Sequence, residues 1–297
     1  MWKYLLFKAC LLTIAYLPTR VLYALVVICA DLVYVFSPRI RSNVWDNARH
    51  VLGPNAPRHV VRRQAKRSVR NVAKYYADLI RLPRTRPEDF VRRRLSYHGF
   101  EENVLPALQS GKGVILASCH FGNPELAIQA CLSRGIDVLA LTEPLKPARL
   151  SRLVDGLRAS HGLTFLPVSV ASVKKVVRRL KEGKVVALMC DRDIQGPKAP
   201  LPFFGEEAYM PTGPVEVAMR TGAIIIPVFS RRLNGDKLEV FLEPPLELVS
   251  TGNFESDVIT NAQRFLERFR KHLSQDPGQW AVLEAIWGPP ATQGQAA

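Results

Sequence analysis

The sequence predicts a single α/β domain with a largely parallel, mixed central sheet flanked by helices, preceded by an N-terminal helical segment that associates with a membrane. Three observations carry that prediction. Six apolar runs alternate with helix-length amphipathic segments beyond residue 95, the first forty residues are apolar with few charges, and the stretch between them is densely basic. At 297 residues, with 47% hydrophobic and 23% charged side chains, the chain can bury a full core, which excludes disorder as its default state.

The N-terminal segment, 1–38, holds two apolar runs separated by Pro18 and Arg20, and the second, 21–36, contains Asp31. Neither run reaches the roughly 20 apolar residues of a comfortable span. Three arrangements fit: a single spanning helix, a bent helix dipping into one leaflet, and a kinked span with Arg20 reaching the headgroups. A cleaved signal peptide is the competing reading, with Cys29 and Ala30 at the cut. The bulky Ile28 argues against it, because a small residue belongs there.

Residues 39–95 carry sixteen Lys and Arg against four acids, so twelve of the fifteen excess positive charges fall in this one region. Within it Arg63, Arg67, Arg70 and Lys74 recur at helical spacing. Ala65, Val69, Val72, Ala73, Tyr76, Leu79 and Ile80 gather opposite them, so the pattern is a basic amphipathic helix. Taken alone it is also the pattern of a solvated face. Beside an apolar segment it points to an anionic membrane lipid surface and to the cytoplasmic side. There is no glycine-rich phosphate loop or aromatic-spaced RNA motif, so nucleic acid is not a predicted partner. The five cysteines, an odd number without a CxxC pair, read as thiols in a reducing compartment, and no metal is predicted.

The third region, 96–288, contains the predicted strands 113–118, 137–141, 164–167, 185–190, 223–230 and 238–242, and the tail 289–297 reads as disordered. In open α/β sheets chemistry gathers at the carboxyl ends of strands. His120 lies in such a loop, within "LASCHFGNPELA" at 116–127. On one helix His120 and Glu125 would stand about 140° apart, so the histidine must precede the helix for the two to meet. "GNPE" supplies the break: Gly122 permits the turn, Asn123 suits the N-cap, Pro124 the first helical position, and Glu125 the first turn. The imidazole is then expected to fold back onto Glu125, which would fix its tautomer and leave the other nitrogen as a general base. The helix N-terminus that Asn123 caps would favour an oxyanion, which makes Asn123 a substrate-binding candidate. The plainer readings are a dipole-complementing glutamate and a packed histidine, and H-x4-E alone is a permissive pattern. Cys119 offers a rival nucleophile, but strand alternation turns it into the sheet while His120 faces the loop. The remaining histidines, His50, His59, His98, His161 and His272, show no ligand spacing.

"GKGVILASCHFGNPELA", followed by "LRASHG", "LMCDRDIQGPKAPLPFFGEEAYMPTGPVEVAMRTGAIIIPVF" and "GQWAVLEAIW", resembles the bacterial lipid A late acyltransferase family, whose relatives include the phosphatidylinositol mannoside acyltransferases. The resemblance runs from about residue 40 to residue 288 in family order. It implies a glycerolipid-acyltransferase-like fold. It also implies transfer of a fatty acyl chain from an acyl thioester, carried by acyl carrier protein or coenzyme A, to a hydroxyl of a glycolipid at the cytoplasmic face of the inner membrane. No tightly bound cofactor is implied. His120 and Glu125 match the family's His-x4-acid motif, with His120 as base and Glu125 orienting it. Pro124 departs from the family, where an aromatic residue is common. Glu143 and Arg158 resemble an acidic and a basic residue placed around the site of the mannoside acyltransferases, with Arg158 the first candidate to grip a phosphate. Asp191, Arg192 and Asp193 follow a strand as that group's acidic-Arg-Asp turn does. Asp191 and Asp193 fit a second acid near His120, a metal pair or a plain turn. Phe203 to Gly205 fit either an acyl groove or core packing. A non-catalytic anionic-lipid-binding protein is the alternative to an enzyme.

Overall fold

The structure, a computed structural model, describes residues 2–192 and 196–288. Asp193 and the tail 289–297 lie outside the described residues. The N-terminal part is helical: α1 (Trp2–Thr13), α2 (Thr19–Phe36), α3 (Pro38–Leu52), α4 (Arg58–Arg81) and α5 (Pro87–Arg94). Then come β1 (Leu95–His98), α6 (Leu105–Gln109), β2 (Val114–Ser118), α7 (Pro124–Ser133), β3 (Val138–Thr142), α8 (Ala148–Arg158), β4 (Thr164–Pro167), α9 (Val170–Lys181) and β5 (Val185–Met189). The chain continues through β6 (Lys198–Phe203), β7 (Glu206–Pro211), α10 (Gly213–Thr221), β8 (Ile224–Arg232), β9 (Leu238–Leu242) and α11 (Phe254–Gln275).

Seven strands form one sheet in the order β1-β9-β8-β2-β5-β3-β4, with every neighbouring pair parallel except β8 and β9. All five residues of β2 are buried, which is why the run reads as continuously apolar: helices cover both faces of this central strand. On one face Ile115, Ala117 and Val186 pack against Val176 of α9, Val215 of α10 and Phe265 and Phe269 of α11. On the other, Val114, Leu116 and Val138 meet Ala107 of α6 and Ala127 and Ile128 of α7. Each fully buried valine, leucine, isoleucine or phenylalanine here stabilises the fold by roughly 1.5–3 kcal/mol, and each alanine by less.

All six predicted strands are present, and three strands were not foreseen. β1 is a four-residue edge strand of alternating burial. β6 pairs only with β7, in an antiparallel ribbon outside the main sheet. Pro200 and Pro202 remove two backbone donors from β6, and proline in a run argues against a strand unless it lies at an edge, as here.

The N-terminal helices build a further core in which Ala30 and Tyr34 of α2, Val44 and Ala48 of α3, and Val61, Ala65 and Val69 of α4 are buried together. The chain breaks between α1 and α2 at Pro18, which lacks the N–H a continuing helix would use. α2 has two apolar faces. Leu22, Tyr23, Ala30 and Tyr34 are buried, and the helix packs along α4. Val21, Leu25, Ile28, Leu32 and Val35 recur at alternate spacings of four and three, and each is at least 42% exposed. With 18 residues and a mean hydropathy of 1.9, α2 is long and apolar enough to cross a membrane. Its single acid, Asp31, is paired with Lys66 (3.0 Å) and Arg70 (2.7 Å) of α4.

Candidate active site

The site follows from strand register. β2 and β5 run in parallel register from Val114 opposite Val185 to Ser118 opposite Met189. The Cys190 N–H donates to the Ser118 carbonyl at 2.7 Å and carries the pairing one step further. Two residues past the last register pair, His120 and Asp191 therefore leave the sheet as neighbours. The His120 ring Nδ1 lies 2.9 Å from Asp191 Oδ1, and the His120 backbone N–H donates to Asp191 Oδ2 at 2.9 Å. Trp280 Nε1–H donates to the same Oδ2 at 2.8 Å.

Asp191 is fully buried. Burial alone would raise its pKa, but the charge of His120 and the hydrogen bonds from His120 and Trp280 outweigh burial and hold the carboxyl below the usual aspartate value. An ionised carboxylate can only accept, so the proton of the shared bond sits on Nδ1, and in the neutral ring it is Nε2 that carries the lone pair. Nε2 bonds no described residue, and the His120 side chain is 29% exposed. That is the arrangement of a base presented to a substrate.

The sign of the linkage gives a pH prediction. The native pKa of Asp191 lies below its unfolded value, so its contribution to stability is fully present above the unfolded value and is lost as pH falls through the native one. The stability difference between the native chain and Asp191→Asn should hold at neutral pH and narrow below about pH 4. Denaturant unfolding at a series of pH values measures it, and a gap that widens on acidification would contradict the assignment.

The loop after His120 folds as its sequence predicts. Gly122 has φ +69°, and a Cβ there would stand 1.9 Å from the Ser230 carbonyl oxygen, so only glycine fits. Asn123 caps α7, its Oδ1 accepting from Leu126 N–H at 3.2 Å, and Pro124 begins the helix. Asn123 is turned into the protein rather than toward solvent. It is 1% exposed, its N–H donates to Ser230 Oγ at 3.0 Å, and its Nδ2 donates to Asp78 Oδ2 at 3.0 Å. Its role is to hold the loop.

Glu125 occupies the first turn of α7 but is not the partner of His120. Its Oε1 is ion-paired at 2.6 Å with Nε of Arg158, at the end of α8, while the imidazole turns the other way onto Asp191. Arg158 is likewise drawn inward. It is 8% exposed, with Nη1 directed at Asp155 (3.4 Å) and Nη2 donating to the Tyr75 hydroxyl at 3.2 Å, so all three guanidinium nitrogens are engaged by protein groups. Burial works against that cation, and Tyr75 and Glu125 outweigh it, keeping it charged.

Arg192 follows Asp191 and keeps partial exposure, its Nη2 within 2.9 Å of Glu143 Oε2 and 3.4 Å of Glu284 Oε1. His120, Asp191 with Arg192, and Glu143 thus follow the carboxyl ends of β2, β5 and β3, three adjacent parallel strands. Phe203 is core, 1% exposed and stacked on Trp287 and Phe269, which settles the packing alternative for that residue.

Cys119 is fully buried beneath the loop, and burial, reinforced by the nearby Asp191 charge, pushes its thiol well above the usual range. Cys119→Ala should therefore keep turnover within about tenfold of the native chain, a loss far smaller than that from removing a nucleophile. Steady-state rates measured on both chains test this.

The family model for bacterial lipid A biosynthesis acyltransferases matches residues 1–288. The phosphatidylinositol mannoside acyltransferase of Mycobacterium tuberculosis (strain ATCC 25618 / H37Rv) is 29% identical over 226 residues, which cover 74% of this chain and 69% of that protein. The protein of the same name from Mycolicibacterium smegmatis (strain ATCC 700084 / mc(2)155) is 28% identical over 223 residues, covering 74% of this chain and 71% of that protein. A match across nearly the whole sequence assigns it: the chain belongs to the bacterial lipid A biosynthesis acyltransferase family and is an acyltransferase.

Proposed function

We propose that this acyltransferase moves a fatty acyl chain from an acyl thioester, on acyl carrier protein or coenzyme A, to a hydroxyl of a membrane glycolipid such as a phosphatidylinositol mannoside or a lipid A precursor. The observation that carries the reading is the His120–Asp191 pair at the carboxyl edge of the sheet. His120 Nε2 takes the acceptor hydroxyl proton as that oxygen attacks the thioester carbonyl. The new C–O bond forms, the C–S bond breaks, and the proton passes on to the departing thiolate. An alcohol is far less acidic than imidazolium, so proton removal accompanies attack, a contribution of about 10²- to 10⁴-fold. Positioning and oxyanion stabilisation supply the rest. No covalent enzyme intermediate is required, in keeping with the buried Cys119. Among the described residues, Arg192 and Glu143, paired beyond the carboxyl ends of β5 and β3, are the candidates we keep as substrate contacts.

The acceptor is a lipid, and α2 offers the membrane contact. We read α2 as lying lengthwise in the interface on the cytoplasmic face of the inner membrane. Its exposed stripe of Val21, Leu25, Ile28, Leu32 and Val35 suits the acyl boundary, and its opposite face is held by α4. A spanning α2 would carry Lys66 and Arg70 of α4 toward the bilayer centre, at roughly 2.5–3.5 kcal/mol each. The non-catalytic lipid-binding alternative does not survive the family assignment.

Mass spectrometry tests the reaction. The full chain in vesicles is given a fatty acyl thioester on either carrier, with phosphatidylinositol mannoside or a lipid A precursor as acceptor. One glycolipid should gain the mass of one acyl chain while free thiol appears. No gain in any lipid offered, with either thioester, would sink the proposal.

A further inference from the structure

We propose that Trp280 is a positioning residue of the acyl transfer, whose indole N–H fixes the Asp191 carboxylate and through it the ring that takes the proton. This rests on the reading of His120 as the base. Asp191 has no contact with solvent, so its two oxygens must find their donors within the protein. Oδ1 faces His120 Nδ1. Oδ2 accepts from the His120 backbone N–H at 2.9 Å and from Trp280 Nε1–H at 2.8 Å. Trp280 is the one side chain besides His120 itself that bonds this carboxylate among the described residues.

The indole is not free to swing. It is 3% exposed and meets Phe203, Phe269 and Trp287 edge-on, with centroids 5.8–6.1 Å apart. Its backbone is tied to the same loop from both sides: Ala281 N–H donates to the His120 carbonyl at 2.7 Å, and Gly122 N–H donates to the Gln279 carbonyl at 2.9 Å. Segment 276–280 is in turn seated on α4, where Arg67 pairs with Asp276 at 2.7 Å and Asn71 Nδ2 donates to the Gly278 carbonyl at 2.6 Å. A Cβ on Gly278 would come within 2.6 Å of Gln64 Oε1, so the seat is close-fitting. The indole N–H therefore arrives at Oδ2 from a rigid support.

A charge-assisted bond of this kind does two things. It holds the carboxylate so that Oδ1 meets Nδ1, and it draws negative charge away from the imidazole. Without it the carboxylate becomes the stronger base, the imidazolium is favoured, and His120 holds its proton to higher pH.

Two replacements remove the N–H: Trp280→Phe, and Trp280 exchanged for 3-benzothienylalanine, which keeps the bicyclic shape and guards against a folding defect in the first. In each, kcat should fall roughly tenfold or more with KM for the thioester nearly unchanged, and the acid limb of the pH–rate profile should move up by about one unit. The second readout needs no turnover. In full chain labelled with ¹⁵N-histidine, the His120 ring signals, assigned by their loss in His120→Ala, should titrate at higher pH in both replacements. A loss of rate with the acid limb and ring titration unmoved would leave Trp280 a packing residue and overturn the proposal. If the native chain transfers no acyl group, the functional reading fails, while the ring titration still decides the role of Trp280.

Discussion

Asp191→Asn is expected to lower kcat about 10³- to 10⁴-fold while leaving vesicle binding intact, because the substitution reverses the tautomer of His120. Two N–H groups, from the His120 backbone and Trp280, already converge on Oδ2. An asparagine must put its carbonyl oxygen there, so its amide NH₂ is turned toward Nδ1. Nδ1 then has to accept, the proton moves to Nε2, and the nitrogen facing the substrate can no longer take one. His120→Ala should cost a similar factor, and the double variant little more, since the two residues act as a unit. Glu125→Gln separates this pair from the His-x4-acid spacing. Its direct partner is Arg158, so its effect should fall on stability more than on the chemical step. Single-turnover rates with an acyl thioester decide the matter. Asp191→Asn at within tenfold of the native rate would remove Asp191 from the mechanism.

The second large effect concerns stability. Asp78→Ala should destabilise the fold by about 3–5 kcal/mol, since it strands the buried Arg232 guanidinium without its counter-charge. Arg232 Nη2 donates to Asp78 Oδ2 at 2.6 Å, and the two side chains are 3% and 4% exposed. Tyr23 of α2 donates to Asp78 Oδ1 at 2.5 Å and accepts from Arg232 Nη1 at 2.9 Å, while Asn123 donates to Oδ2. One carboxylate thus joins α2, α4, the end of β8 and the loop that follows His120. For a chain of this size the melting temperature should drop on the order of 10 °C. Tyr23→Phe removes the hydroxyl and both of its hydrogen bonds but leaves the ion pair in place, and should cost only about 2 kcal/mol. Thermal unfolding of both variants measures the ratio, and an Asp78→Ala chain as stable as Tyr23→Phe would show that the ion pair contributes little.

Local features of the sequence were legible and long-range ones were not. The buried run of β2, the glycine turn, the Asn123 cap and the helix starting at Pro124 each depend on residues within a few positions of one another, and each is present. Glu125 was assigned to His120 because it is near in sequence. Asp191, 71 residues away, is nearer in space because β2 and β5 are neighbours in a parallel sheet, and strand order does not follow from hydrophobic pattern. The sequence offers Asp191 as a second acid near His120 beside a metal pair or a plain turn, and only the adjacency of the strand ends "SCH" and "MCD" selects the first. Arg158 and Asn123 are polar residues whose use depends on what faces them. An arginine opposite Glu125 and an asparagine opposite Asp78 become internal supports. Trp280 stands outside any periodic segment, and nothing local connects it to the site.

Because residues 279–281 grip the loop on either side of His120, the order of synthesis matters for when this protein becomes competent. A nascent chain can complete the seven-stranded sheet and still lack the strap that aligns its imidazole. The ribosome must therefore deliver nearly the whole polypeptide before the loop around His120 gains both of these contacts. A fragment ending upstream of Gln279 would lack this strap and, with it, Trp280, Val282 and Trp287, three side chains of the core on one face of the sheet.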